Sequence, residues 1–330
     1  MQPSPCVIVS RVGSKEMGTD SQFRRPPEWS TGYLWRRNWC LSPFFLLAAA
    51  AACAQDFKDF QVERVVKGLH FAEGPVWSYE GYLIFSDTVV DKLHKLTPGQ
   101  SNVEFASRAG GASGNAFDSD GRLYTCEFRQ RRVTRLAKNG RLEVLASHYQ
   151  GKRLNAPNDI VVRRDGHVYF TDPAFGSQRD ARELDFFGVY HITPRGELEL
   201  LAKWNTRPNG ITVSPNGRTL YVSDSDRRAI VAFDLDGKGA ASNQRTIVEM
   251  IPGVPGGVRT DVNGNVYVAA KSILVYAPSA KGAARLLGTV NVGETPSNLA
   301  FGDPDLETLY ITARTSVYRT RLGVKGALPY

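Results

Sequence analysis

Helical periodicity is nearly absent from this chain: apart from an apolar run near the N-terminus, no stretch spaces its apolar residues three and four apart over a useful length. Helix bundles and alternating α/β folds are thereby excluded. Cysteine is scarce too, with Cys6, Cys40, Cys53 and Cys126 the only four in 330 residues, so the chain is no disulfide-stapled scaffold. No G-x-S-x-G occurs, which leaves a serine-hydrolase elbow unsupported. His70, His94, His148, His167 and His191 fall on strands or turns without the spacing of metal ligands. No apolar run is long enough to span a bilayer as a helix. What is present is 42% hydrophobic and 10% aromatic residues, ample for a large core built from strands.

The N-terminal run has its own meaning. Arg36 and Arg37 precede Leu41-Ser-Pro-Phe-Phe-Leu-Leu and a series of alanines that ends in Ala52-Cys53-Ala54. This order of charged, apolar and small residues predicts a signal peptide with an extended N-terminal region over residues 1–54, cleaved after Ala54. A start at Met17 in place of Met1 would account for the long basic stretch ahead of it. The expected location is exported, periplasmic or secreted. Lipid anchoring at Cys53 is the alternative, disfavoured because Ala50 stands where a larger aliphatic residue is needed. Cleavage leaves Cys126 as the one mature cysteine, expected to pack within a strand rather than to act as a nucleophile.

Net charge is +8, of which residues 1–54 hold six basic and three acidic side chains. The one local cluster, Arg129, Arg131, Arg132 and Arg135, has no stacking aromatics between its arginines, so it reads as a solvated strand face and not as a nucleic-acid site. No nucleic acid, no membrane span in the mature chain and a favoured monomer are the expectations for partners.

From Phe57 onward one pattern recurs: a turn rich in Gly, Pro or Asn, a short alternating strand, a Gly-containing hairpin, then a second strand often carrying Tyr. It is seen at 73–87, 113–127, 158–172, 209–224, 256–270 and 298–313. Alignment on the hairpin glycines puts Glu73, Ser113, Asn158, Asn209, Gly256 and Asn298 in register, 40 to 51 residues apart. Such a period, with several strands in each copy, predicts an all-β, six-bladed propeller over residues 55–330. Each core hairpin is followed by a third strand, at 132–136, 188–192, 229–233, 273–277 and 316–320, and then by an outer strand such as Leu198 to Ala202 or Thr246 to Met250. The chain begins with an outer strand, Phe60 to Val66, expected to complete the last blade and close the ring.

The fourth copy, Arg207 to Asp226, shows what the ring could do. Its two strands meet at an Asn216-Gly217 hairpin, so Asn209 and Asp224 end up at the same end of one ribbon. Glu73 and Asn158 join them through the repeat register. Four oxygen donors without His or Cys suit a hard divalent cation such as calcium, magnesium or manganese. Glu127 and Asp172, which end the equivalent strands of neighbouring copies, are candidates for substrate contacts.

Three segments carry a family likeness: F-A-E-G-P-V-W, L-N-A-P-N-D-I-V-V with Y-F-T-D-P-A-F-G, and R-P-N-G-I-T-V-S-P-N-G-R-T-L-Y-V-S-D-S. Together they resemble the gluconolactonase, regucalcin and luciferin-regenerating-like family, in particular its exported bacterial members. The resemblance implies a six-bladed propeller with one catalytic divalent metal, calcium first, with magnesium, manganese or zinc as alternatives, held at Glu73, Asn158, Asn209 and Asp224. It also implies hydrolysis of sugar lactones or related cyclic esters, with Asp224 activating water. Relatives often have Asn where this chain has Ser113, with Asn115 two residues later as a possible substrate contact. Relatives commonly have Pro-Asp-Gly where it has Pro255-Gly256-Gly257. Sugar specificity is therefore expected to differ from that for gluconolactone. A non-catalytic calcium- or sugar-binding propeller, or an aryl-esterase or phosphotriesterase using the same pocket, are the alternatives.

Overall fold

The computed structural model describes residues 60–100, 103–108, 110–279 and 282–329. The chain divides into two units, Met1–Cys53 and Ala54–Tyr330. The first, with the expected signal peptide, lies outside the described residues.

The second unit is a six-bladed β-propeller of four-stranded antiparallel sheets. In five blades the sheet is a meander whose strand order follows the chain. The innermost strands, in order, are Ala72–Ser78, Ala112–Phe117, Ile160–Val162, Pro208–Val213, Val258–Thr260 and Pro296–Gly302. The last blade is completed by Glu63–Lys67, which pairs antiparallel with Ser316–Arg321. The expected closing strand is thus present, shifted by three residues at its start. Phe60 and Val62, ahead of it, pack against the core between the fifth and sixth blades.

The strands read as strands because both of their faces are buried. Leu309 and Ile311 face the fifth blade while Tyr310, between them, joins the core shared with the first. Tyr310 there stacks on Trp77 with ring centroids 5.7 Å apart. Four other apolar clusters repeat this arrangement between neighbouring blades, so the core is a ring of interfaces. One outer strand differs from the expectation. In the fourth blade it spans Ala241–Val248, starting five residues early and ending before Glu249, with Met250 at a φ of +54°. Its first residues, Ala-Ser-Asn-Gln-Arg, are polar, and an edge strand needs only backbone partners to be held.

Hydrogen bonds between blades close a ring around the axis. Ser86 Oγ donates to the carbonyl of Ser113 (2.7 Å), Gly114 N to that of Asn158 (2.7 Å) and Thr171 Oγ1 to that of Asn209 (2.6 Å). Ser223 Oγ then donates to the carbonyl of Gly256 (2.6 Å), Gly257 N to that of Ser297 (2.9 Å) and Ser297 Oγ to that of Ala72 (2.6 Å). Backbones must come close for this. A Cβ on Gly74 would lie 1.9 Å from the Ser113 carbonyl oxygen, and one on Gly210 2.3 Å from that of Gly256. Hence the recurring glycine after the ring position.

The arginine cluster is less solvated than its composition suggests. Arg131 is buried and bonds the Leu154 carbonyl and Glu183, while Arg132 pairs with Glu127.

Candidate functional site

At one end of the axis the ring positions open into a cavity of about 450 Å³. Glu73, Ser113, Asn158 and Asn209 line it, so the repeat register does bring these side chains to one place. Ala156, Thr88, Phe71, Phe128 and Phe175 add walls, together with the short 3₁₀ turn that begins at Gly176.

Among the described residues, Glu73 is the one ionisable side chain of that lining. Burial pushes its pKa up to about 7, against the opposing pull of the Gly74 N–H. The charge on Asp159 pushes the same way, and the Asn298 amide opposes it. Both hydrogen bonds fall on one oxygen: Gly74 N (2.9 Å) and Asn298 Nδ2 (3.2 Å) donate to Oε2. Oε1 is left without a protein donor among the described residues. Asn209 is oriented by its Nδ2, which donates to Ser225 Oγ (3.1 Å), and Ser225 Oγ in turn donates to the Pro255 carbonyl (3.0 Å). Its Oδ1 is thereby left as the free end. The Asn158 amide has no hydrogen-bond partner among the described residues. Three unspent oxygen donors around one cavity match the preference of a hard divalent cation.

Asp224 does not line this cavity. Its carboxylate is buried and accepts bonds from Thr206 Oγ1 (2.6 Å), Asp226 N (3.1 Å) and Arg227 N (2.9 Å). The expected fourth ligand and base is therefore turned toward its own blade's turn and lead-in segment. The same position elsewhere does the same work. Asp87 accepts from His70 N and Phe71 N, and Asp172 from Asn155 N and Ala156 N. Burial raises the Asp172 pKa to about 7 despite those two donors. An acid that repeats from blade to blade serves the blade.

The expected substrate contacts Asn115, Glu127 and Asp172 are likewise absent from the lining. Asn115 ties the first two blades together, donating to the Gly74 carbonyl (2.8 Å) and to Ser86 Oγ (2.9 Å) while accepting from Thr125 Oγ1 (2.9 Å). Glu127 is taken up by Arg132 (2.6 Å) and Thr134 (3.0 Å). Burial raises the Cys126 thiol well above its usual range, in keeping with a packing role.

Sequence reasoning missed two parts of the site. Asn298 was in the register but its bond to Glu73 crosses 225 residues. The phenylalanines lie just outside strand ends, in loops whose direction no periodicity reveals. Gly256, the departure noted in the fifth repeat, sits where a Cβ would be 2.2 Å from the Ser297 carbonyl oxygen.

Fold and cavity define the class: a six-bladed propeller with an axial cavity in which, among the described residues, Glu73 is the one acid. The chain belongs to the SMP-30/Gluconolactonase/LRE-like region family, whose model matches residues 71–315. It is 31% identical over 296 residues to the gluconolactonase of Zymomonas mobilis, covering 80% of this chain and 82% of that one. The pentonolactonase of Haloferax volcanii is 26% identical over 76% of this chain and 84% of its own length. A solved gluconolactonase structure from Xanthomonas campestris superposes with a TM-score of 0.74 at 31% identity, covering 82% of this chain and 93% of that one.

Proposed function

We propose that the protein is a lactonase that opens a lactone ring by adding water across the acyl C–O bond, in the cavity that Glu73, Asn158 and Asn209 line. One observation carries this reading: Glu73, whose Oε1 has no protein donor among the described residues, lines one cavity with the Asn158 and Asn209 side chains. Family membership and the lactone-hydrolysing relatives support it.

The donor set fits one hard divalent cation, calcium first, with magnesium or manganese as alternatives; Glu73, Asn158 and Asn209 would hold it. Bound there, such an ion supplies polarisation of the lactone carbonyl. This chain's residues supply the rest. Glu73 takes the proton of the attacking water as the water oxygen bonds to the carbonyl carbon. A carboxylate offers about four acceptor sites, so a proton and a cation can take different lone pairs. That proton then passes to the ring oxygen as the acyl C–O bond breaks, leaving a hydroxy acid. Asn298 and Gly74 hold the carboxylate in place from the Oε2 side. Asp224 contributes by positioning, through Thr206 and the lead-in to Asn209.

The test is acid release from aldonolactones, homoserine lactones and aryl esters, with and without chelator. Glu73→Gln is expected to lower kcat/KM on the best lactone by about a hundredfold or more. Cation binding without turnover of any substrate would instead identify a binding propeller.

A further inference from the structure

The cavity has two chemically different sides, and one of them has no counterpart in the reaction. Phe71, Phe128 and Phe175, with Ala156, form a wall that the water-activating end does not use. Each phenylalanine comes from a different blade's loop: Phe71 precedes Ala72–Ser78, Phe128 follows Leu123–Glu127, and Phe175 follows Val168–Asp172. Two of them are braced by arginines. The Arg129 guanidinium lies 5.6 Å from the Phe128 ring centroid and donates to the Val89 carbonyl (2.8 Å). The Arg207 guanidinium lies 4.8 Å from the Phe175 ring and pairs with Asp226. Among the described residues, no Lys or Arg side chain lines the cavity itself.

Two consequences follow for a bound molecule. A substrate carrying a phosphate or carboxylate would add a negative charge to a cavity whose lining, among the described residues, holds the Glu73 carboxyl and no Lys or Arg. A hydroxyl turned toward the phenylalanines would lose its water partners without replacement. An apolar substituent there gains by leaving water. Resting on the lactonase reading, we propose that the preferred substrate is an uncharged lactone bearing an alkyl or aryl substituent. Its ester group meets Glu73, Asn158 and Asn209, and its substituent lies along Phe71, Phe128 and Phe175. Thr88 and Ser113 also line the cavity and suit the ring's own polar atoms.

The experiment uses the full chain and a series of δ-lactones, from δ-valerolactone through δ-octanolactone to δ-decanolactone, beside gluconolactone and 6-phosphogluconolactone. Affinity for the corresponding lactams, measured by calorimetry, gives a readout that does not depend on turnover. We expect kcat/KM to rise about threefold per added methylene until the wall is covered, with 6-phosphogluconolactone the poorest of the set. Phe128→Ala should flatten that dependence on chain length, and Phe128→Leu should restore most of it. Turnover of lactones with no chain-length dependence, or with 6-phosphogluconolactone as good as gluconolactone, would overturn the proposal and leave the lactonase reading standing. If no lactone is hydrolysed, the lactonase reading fails; lactam affinity that rises with chain length would still support the wall, and flat affinity would overturn it as well.

Discussion

A single residue type, the acid at the end of a blade's second strand, shows how position decides role. Asp224 looks like a ligand when its own hairpin is considered alone, because it shares an end with Asn209. Its bonds to Thr206, Asp226 and Arg227 make it a clamp on that blade. Removing it leaves the Thr206 hydroxyl and the Asp226 and Arg227 N–H groups without their acceptor. Asp224→Ala is expected to cost about 1–3 kcal/mol of stability, measured by denaturant unfolding, while the folded fraction keeps most of its kcat. Loss of kcat equal to that of Glu73→Gln at unchanged stability would return Asp224 to the chemistry. Recurrence was the signal: Asp87, Asp172 and Asp224 occupy one repeat position, and a ligand to one ion has no reason to recur in three blades.

At the scale of the element, the strand Glu63–Lys67 carries a disproportionate share of the fold. It comes from the start of the propeller unit yet forms the outer edge of the last blade, pairing Glu63 with Arg319 and Lys67 with Ser316. Side-chain bonds reinforce this closure, Arg319 Nε donating to Glu63 Oε2 at 2.7 Å. Deleting residues 57–68 should prevent folding, because Val66 is part of the core between the sixth and first blades. A soluble truncated protein with a cooperative unfolding transition would refute that. The closure was legible from the sequence, since an unpaired strand at one end and a blade one strand short at the other can satisfy each other. The exact residues were not, because edge strands accept polar sequence and their ends obey no periodicity.

The whole molecule couples its site to its stability through Glu73. Its folded pKa, about 7, lies above the ordinary value of 4.5, so the folded state binds the proton more tightly than the unfolded state does. Stability from this group is therefore present below about pH 4.5 and lost as pH rises toward 7, by on the order of 3 kcal/mol. A cation bound by the ionised carboxylate would offset that loss. Thermal unfolding with calcium against chelator should show a larger gain in Tm at pH 8 than at pH 5.5. Equal gains at both would remove Glu73 from the cation site. Glu73→Gln should abolish the difference.

The sequence by itself determined the architecture. Six copies of a strand–hairpin–strand unit 40 to 51 residues apart can bury their two-sided apolar strands only against one another. It also determined which residues reach the axis, because the hairpin glycines fix register, and register put Glu73, Ser113, Asn158 and Asn209 together. Only the tertiary structure decided what each of those side chains faces. Asp224, Glu127 and Asp172 share the right end of their strands but turn to partners within their blades, and Asn115 turns to the neighbouring blade. The phenylalanines, far apart in the chain and outside any periodic segment, line one cavity. Direction at a strand's end is set by whichever buried donors need an acceptor, and those donors come from residues that only folding brings near.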